Sequence, residues 1–135
     1  MDTDTFKPQI NTDEKLIYKE LTREILNAAF EVHNTLGCGF LEKVYENALV
    51  SELKKRIIKF TAQKEIKVYY KSEEIGVYYA DVTIEDKIIL EIKTVEKIIK
   101  FHEAQLLNYL KASNYRVGMI LNFANTKLEY KRLIL

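Results

Sequence analysis

The chain has little to staple or punctuate it: one cysteine, one proline, four glycines and no tryptophan in 135 residues. A single thiol, Cys38, excludes an internal disulfide and a cysteine-rich zinc site, and a reducing cytoplasm is its expected home. No apolar run approaches the ~20 residues a membrane span needs. The acidic start Met1-Asp2-Thr3-Asp4-Thr5-Phe6 is unlike a secretory signal, so no membrane partner is expected. Neither sign of charge dominates either, with 21 Lys and Arg against 20 Asp and Glu. Any surface that grips phosphates must therefore come from local clustering of cations.

What is present is a composition 47% hydrophobic and 30% charged, that of a compact folded chain. The length suits one domain with a real core. Residues 1–12 read as a loose arm and residues 13–135 as the domain. Asn11 with Glu14 forms a capping-box pattern. Ile17, Leu21, Ile25, Ala28, Val32 and Leu36 then recur at helical spacing, predicting a long first helix that Gly37 stops. A second helix is expected over about 40–56, with Leu41, Val44, Tyr45, Ala48, Leu49 and Leu53 as its buried stripe. Two glycines between helices do not make a phosphate loop, which needs a strand before them and a helix after.

Beyond residue 59 the period changes. The stretches 60–70, 74–84 and 87–93 are rich in β-branched and aromatic residues and read as three strands. Ser72-Glu73-Glu74 and Glu85-Asp86 mark the turns between them. A third helix follows over about 100–113, then strands over 115–123 and 128–135. The order α-α-β-β-β-α-β-β predicts an α/β fold, a mixed central sheet flanked by helices.

The chemistry concentrates in the second and third strands. Glu91 and Lys93 are two apart and so project from one face, while Leu90 and Ile92 face the other layer. Asp81 interrupts an otherwise apolar strand, where a carboxylate is costly unless compensated. Two carboxylates can hold Mg²⁺ or Mn²⁺, and a lysine beside them can orient a water or offset phosphate charge. Register decides whether they meet. A strict two-residue turn at Glu85-Asp86 sets Asp81 against Leu90 and turns Glu91 away. Bringing Asp81 and Glu91 together requires an odd loop such as Glu85-Asp86-Lys87, or a bulge.

Asp81, nine residues and then Glu91-Ile92-Lys93 resembles the core of the PD-(D/E)XK nucleases. Gly39-Phe40-Leu41-Glu42-Lys43-Val44-Tyr45 matches the Gly-x-x-Glu-x-x-Tyr signature of one branch, the GxxExxY proteins, and the stretch 102–123 looks like that branch too. The resemblance implies a restriction-endonuclease-like core, with Asp81 and Glu91 as metal ligands and Lys93 as the catalytic lysine. It implies Glu42 as a helical acid at the same centre, and the Ile92 carbonyl as a further ligand. Gln105 and Tyr109 look like the Gln-x-x-x-Tyr element of exonuclease-like branches; with His102 they also form a stripe beside the apolar Leu106/Leu110 face. The superfamily's proline before the aspartate is Ala80 here. The implied activity is phosphodiester hydrolysis of nucleic acid, with DNA as partner and, by analogy, a homodimer on duplex substrates. The alternative is a module that keeps the fold without the chemistry.

Simpler roles stand beside these. Glu91 and Lys93 could form an exposed ion pair, Glu42 could serve only the helix dipole, and His102 needs no ligand role. Tyr45 reads as a core anchor whose hydroxyl seeks a polar partner. Lys54, Lys55, Arg56 and Lys59, with Lys97, Lys100, Arg116, Lys131 and Arg132, are candidate phosphate contacts or simply a solubilising surface.

Overall fold

A computed structural model describes residues 17–135. The arm and the Asn11/Glu14 cap lie outside the described residues. The elements are α1 (Lys19–Leu36), α2 (Glu42–Lys55), β1 (Phe60–Tyr70), β2 (Glu73–Ile84), β3 (Ile88–Lys93), α3 (Lys100–Ser113), β4 (Val117–Asn122) and β5 (Glu129–Ile134). Their order is the one the sequence predicts. The first helix begins at Lys19, because Tyr18 before it takes a left-handed φ of 55° and breaks the path backwards.

The five strands lie in the order β1-β2-β3-β4-β5. Pairing is antiparallel except between β3 and β4, which are parallel. A parallel pair needs a long crossover, and α3 supplies it. β3 and β4 are buried almost throughout, as central strands covered on both faces should be. Ile88, Leu90 and Ile92 pack into one core with Ile25, Ala28 and Val32 of α1 and Tyr45, Leu49 and Leu53 of α2. Ile89 faces the other way, into a second core with Leu106 and Leu110 of α3. The alternation predicted for β3 is therefore present: odd positions face α3, even positions face α1 and α2.

On α2 the buried face differs from the expected one. Tyr45, Leu49 and Leu53, four apart, define it, and Glu46 is buried beside them. That rotation leaves Leu41 79% and Val44 40% exposed, contrary to the stripe read from sequence.

The corner before α2 explains the glycine signature. Gly37 has φ 72° and Gly39 φ 113°, conformations that cost glycine little. The Gly37 N–H donates to the His33 carbonyl at 2.8 Å and closes α1. Tyr45, fully buried and stacked on Phe123 with centroids 4.7 Å apart, donates its hydroxyl to the Gly37 carbonyl at 2.6 Å. The same hydroxyl accepts from the Phe40 N–H at 3.3 Å. The tyrosine of the signature is thus the polar-tipped anchor expected, tying the corner to the core. Replacing Tyr45 with Phe keeps the stack and orphans the Gly37 carbonyl. It should cost about 1–2 kcal/mol in urea denaturation; no loss would show that the hydroxyl does not hold the corner.

Candidate active site

β2 and β3 run together for only three pairs, Ile84↔Ile88, Thr83↔Ile89 and Val82↔Leu90. The connection is the odd loop, Glu85-Asp86-Lys87, with left-handed φ at Glu85 and Asp86 and the Lys87 N–H on the Ile84 carbonyl at 2.8 Å. Carried onward, this register sets Asp81 across from Glu91 and not from Leu90. The ladder has ended by then, because the strands part. Asp81 accepts the Ile92 N–H on its Oδ2 at 2.8 Å, so a carboxylate serves where a strand carbonyl would have.

The parting has a visible cause in β2. Val82 and Ile84 pack into the core with α1 and α2, whereas Tyr78 and Ala80 pack on the α3 side. Strict two-residue alternation would keep all four on one face. The switch falls at Asp81. On the other side of β2, the pairing with β1 runs Ala62↔Val82 and Lys64↔Ala80, and Gln63 between them has φ 54°. A left-handed residue in an edge strand turns the ladder there, and Asp81 projects at the turn.

Glu91 is 8% exposed. Its Oε1 accepts from the Tyr78 hydroxyl of β2, and its Oε2 lies 3.9 Å from Lys93 Nζ. Glu42, exposed at the start of α2, accepts the Thr94 N–H at 3.3 Å and so sits at the end of β3. Lys93 and Glu42 both act on Asp81 and on Glu91, so the two carboxylates share these charged neighbours. Burial raises the Asp81 pKa above the ordinary value. The Ile92 N–H opposes that rise, Glu46 and Glu42 add to it, and Lys93 opposes it. Burial pushes Glu91 further, up to about 7, with Lys93 opposing and Glu42 adding.

On α3, Tyr109 stacks face to face on Tyr78, centroids 3.4 Å apart and planes 3° from parallel. Gln105 borders an open groove with Phe101, Ala104, Asn108 and Tyr109. His102 has an ordinary job: its Nδ1 accepts the Ile99 N–H at 3.1 Å and caps α3. Arg132, a candidate phosphate contact, turns inward instead. It donates to the Ile17 carbonyl and, at 3.3 Å, to Thr22 Oγ1, fastening β5 to the start of α1.

Sequence reading missed two neighbours. Glu46 lies one turn beyond Glu42, is 6% exposed, and accepts from Lys43 Nζ at 3.0 Å and Gln63 Nε2 at 2.9 Å. The i, i+4 spacing from Glu42 was the available signal. Tyr78 had none, since no spacing rule marks a tyrosine three residues before the aspartate.

Residues 19–133 match the model of the PD-(D/E)XK nuclease superfamily. The chain belongs to that superfamily. No curated protein matches it. The fold is similar to the crystal structure of SSO0001, at a TM-score of 0.57 and 17% identity, covering 88% of this chain. The match spans 60% of that protein's length, so the likeness is one of fold.

Members of a nuclease superfamily that use divalent metals need oxygen donors short of positive charge. Asp81 and Glu91 meet that chemistry: both are desolvated carboxylates, and Lys93 offsets them against Glu42, with Glu46 adding to the negative charge at Asp81. Among the described residues no three His, Cys, Asp or Glu side chains gather as a closed metal cage. A carboxylate pair suits a hard ion that keeps several waters, as Mg²⁺ does.

The raised Glu91 pKa has a definite sign. The folded chain binds this proton more tightly than the unfolded chain, so stability falls as pH rises from about 4.5 towards about 7. Glu91→Gln removes the effect. Relative to the unaltered chain, that variant should gain stability between pH 5 and pH 8, by at most about 3 kcal/mol. Urea denaturation at both pH values in a chelator measures it, and a constant difference would contradict the assignment.

Proposed function

We propose that this chain is a metal-dependent nuclease, hydrolysing phosphodiester bonds of nucleic acid, with DNA as the first substrate to test. The observation that supports this best is the pair of desolvated carboxylates, Asp81 and Glu91, sharing Lys93 and Glu42 where β2 leaves β3. Asp81 and Glu91 would hold Mg²⁺ or Mn²⁺, with the Ile92 main-chain carbonyl as a further oxygen donor and Glu42 acting on the ion through its water shell. When bound, the ion supplies Lewis-acid charge at the phosphate and lowers the pKa of a water.

The protein's part is positioning and charge. Lys93, with a side chain 21% exposed beside Glu91, orients the attacking water and offsets the negative charge growing on the phosphate. Glu42, fixed to the Thr94 N–H, keeps an acid at the mouth of the site. Gln105 and Tyr109 line a groove on α3 and would meet the substrate strand there.

Lys93→Ala should lower Mg²⁺-dependent cleavage of a labelled DNA by ~100-fold or more, with a melting temperature close to that of the unaltered chain. Unchanged cleavage would sink the role given to Lys93. The absence of a closed acidic cage among the described residues favours one other reading, a nucleic-acid or protein binding module without chemistry. Calorimetric titration with Mn²⁺ separates the two. The nuclease reading expects binding that the Asp81→Asn/Glu91→Gln double variant loses, and the module reading expects none from the start.

A further inference from the structure

Once the β2–β3 ladder ends at Val82↔Leu90, two side chains of β2 still reach β3. Asp81 accepts a hydrogen bond from the Ile92 N–H, and the Tyr78 hydroxyl donates one to Glu91 Oε1. The first bond is a backbone repair. The second does something else: it gives Oε1 of a carboxylate only 8% exposed a partner, while Lys93 lies 3.9 Å from the other oxygen.

We infer that Tyr78 is a positioning residue for the ion that Asp81 and Glu91 would hold, and that Tyr109 acts on the site through Tyr78. This rests on the metal-site reading above. A glutamate with three rotatable bonds loses aim easily, and a hydrogen bond on one oxygen directs the other. Here Tyr78 holds Oε1, and Oε2 is left towards Lys93 at 3.9 Å. Tyr78 is itself held on its face. Its ring lies against Tyr109, centroids 3.4 Å apart and 3° from parallel, and Tyr78 packs against the core that includes Ile66, Ala80 and Leu106. The chain of contacts therefore runs from α3 through two stacked rings to one carboxylate oxygen. This gives Tyr109 a part that needs its ring and not its hydroxyl. Partners of this kind, one bond behind a metal ligand, typically change metal affinity by ~10–100-fold when removed.

The test is calorimetric titration of the full chain with Mn²⁺ alone. Tyr78→Phe keeps the ring and the stack and removes only the hydroxyl that donates to Glu91. It should weaken Mn²⁺ binding by ~10–100-fold, with the metal-free melting temperature lowered only by the loss of one buried hydrogen bond. Cleavage by Tyr78→Phe should recover at saturating Mn²⁺, a split between affinity and turnover that a merely structural role would not produce. Tyr109→Phe should bind Mn²⁺ as the unaltered chain does, and Tyr109→Leu, which removes the stacking face, should bind it more weakly. If the unaltered chain binds Mn²⁺ and Tyr78→Phe binds it equally well, the inference fails and the metal site stands. Equal losses in Tyr109→Phe and Tyr109→Leu would overturn the part given to the stack. Absence of binding in the unaltered chain would overturn the metal site, and this inference with it.

Discussion

The hydrogen bond from the Ile92 N–H to Asp81, 2.8 Å long, is the contact on which the site depends. A buried strand N–H must find an acceptor, and the β2 main chain pairs with β3 only from Val82 to Ile84. Asp81 supplies the missing acceptor from its side chain. The same bond lowers the cost of burying the carboxylate, because a backbone donor favours the charged form. Strand parting and acid burial are therefore one event. Without the parting there is no place for the carboxylate, and without the carboxylate the parting leaves an orphaned N–H.

The Gly-x-x-Glu-x-x-Tyr stretch divides its labour in a similar way. Its glycine and tyrosine build the corner: Gly39 takes a φ of 113°, and Tyr45 ties Gly37 and Phe40 to the core. Glu42 accepts the Thr94 N–H at the end of β3. A rigid corner thus delivers one acid to a fixed place on another element. Conformational freedom would scatter that acid, and the buried Tyr45 hydroxyl limits it. Across the site, the loop leaving β3 is fixed by Asn122, whose amide holds the Val95 main chain at 2.8 and 3.0 Å.

Much of this was legible in the residues. Period and β-branching marked every element, and α3 falls at the bounds expected. The odd loop after β2 followed from asking how Asp81 and Glu91 could meet, which is a question of parity and not of propensity. What could not be read came from rotation and from distortion. The face of α2 turns on Tyr45, a residue whose weight in packing exceeds that of Leu41 or Val44, so those two are exposed and Glu46 is buried. The turn in β1 at Gln63 has no local signal, since glutamine does not favour a left-handed φ. Arg132 looked like every other surface cation until α1 came to lie beside β5. Tyr78 gained its meaning only when a strand switched faces three residues later.

The central claim is that one divalent ion lodges between Asp81 and Glu91 at the fork of β2 and β3. The most direct measurement is an anomalous diffraction map of crystals grown with Mn²⁺. The account predicts a manganese peak within coordination distance of both carboxylates, with water completing its sphere. A peak elsewhere, or a fork where the two acids point to opposite faces of the sheet with no ion between them, would contradict it.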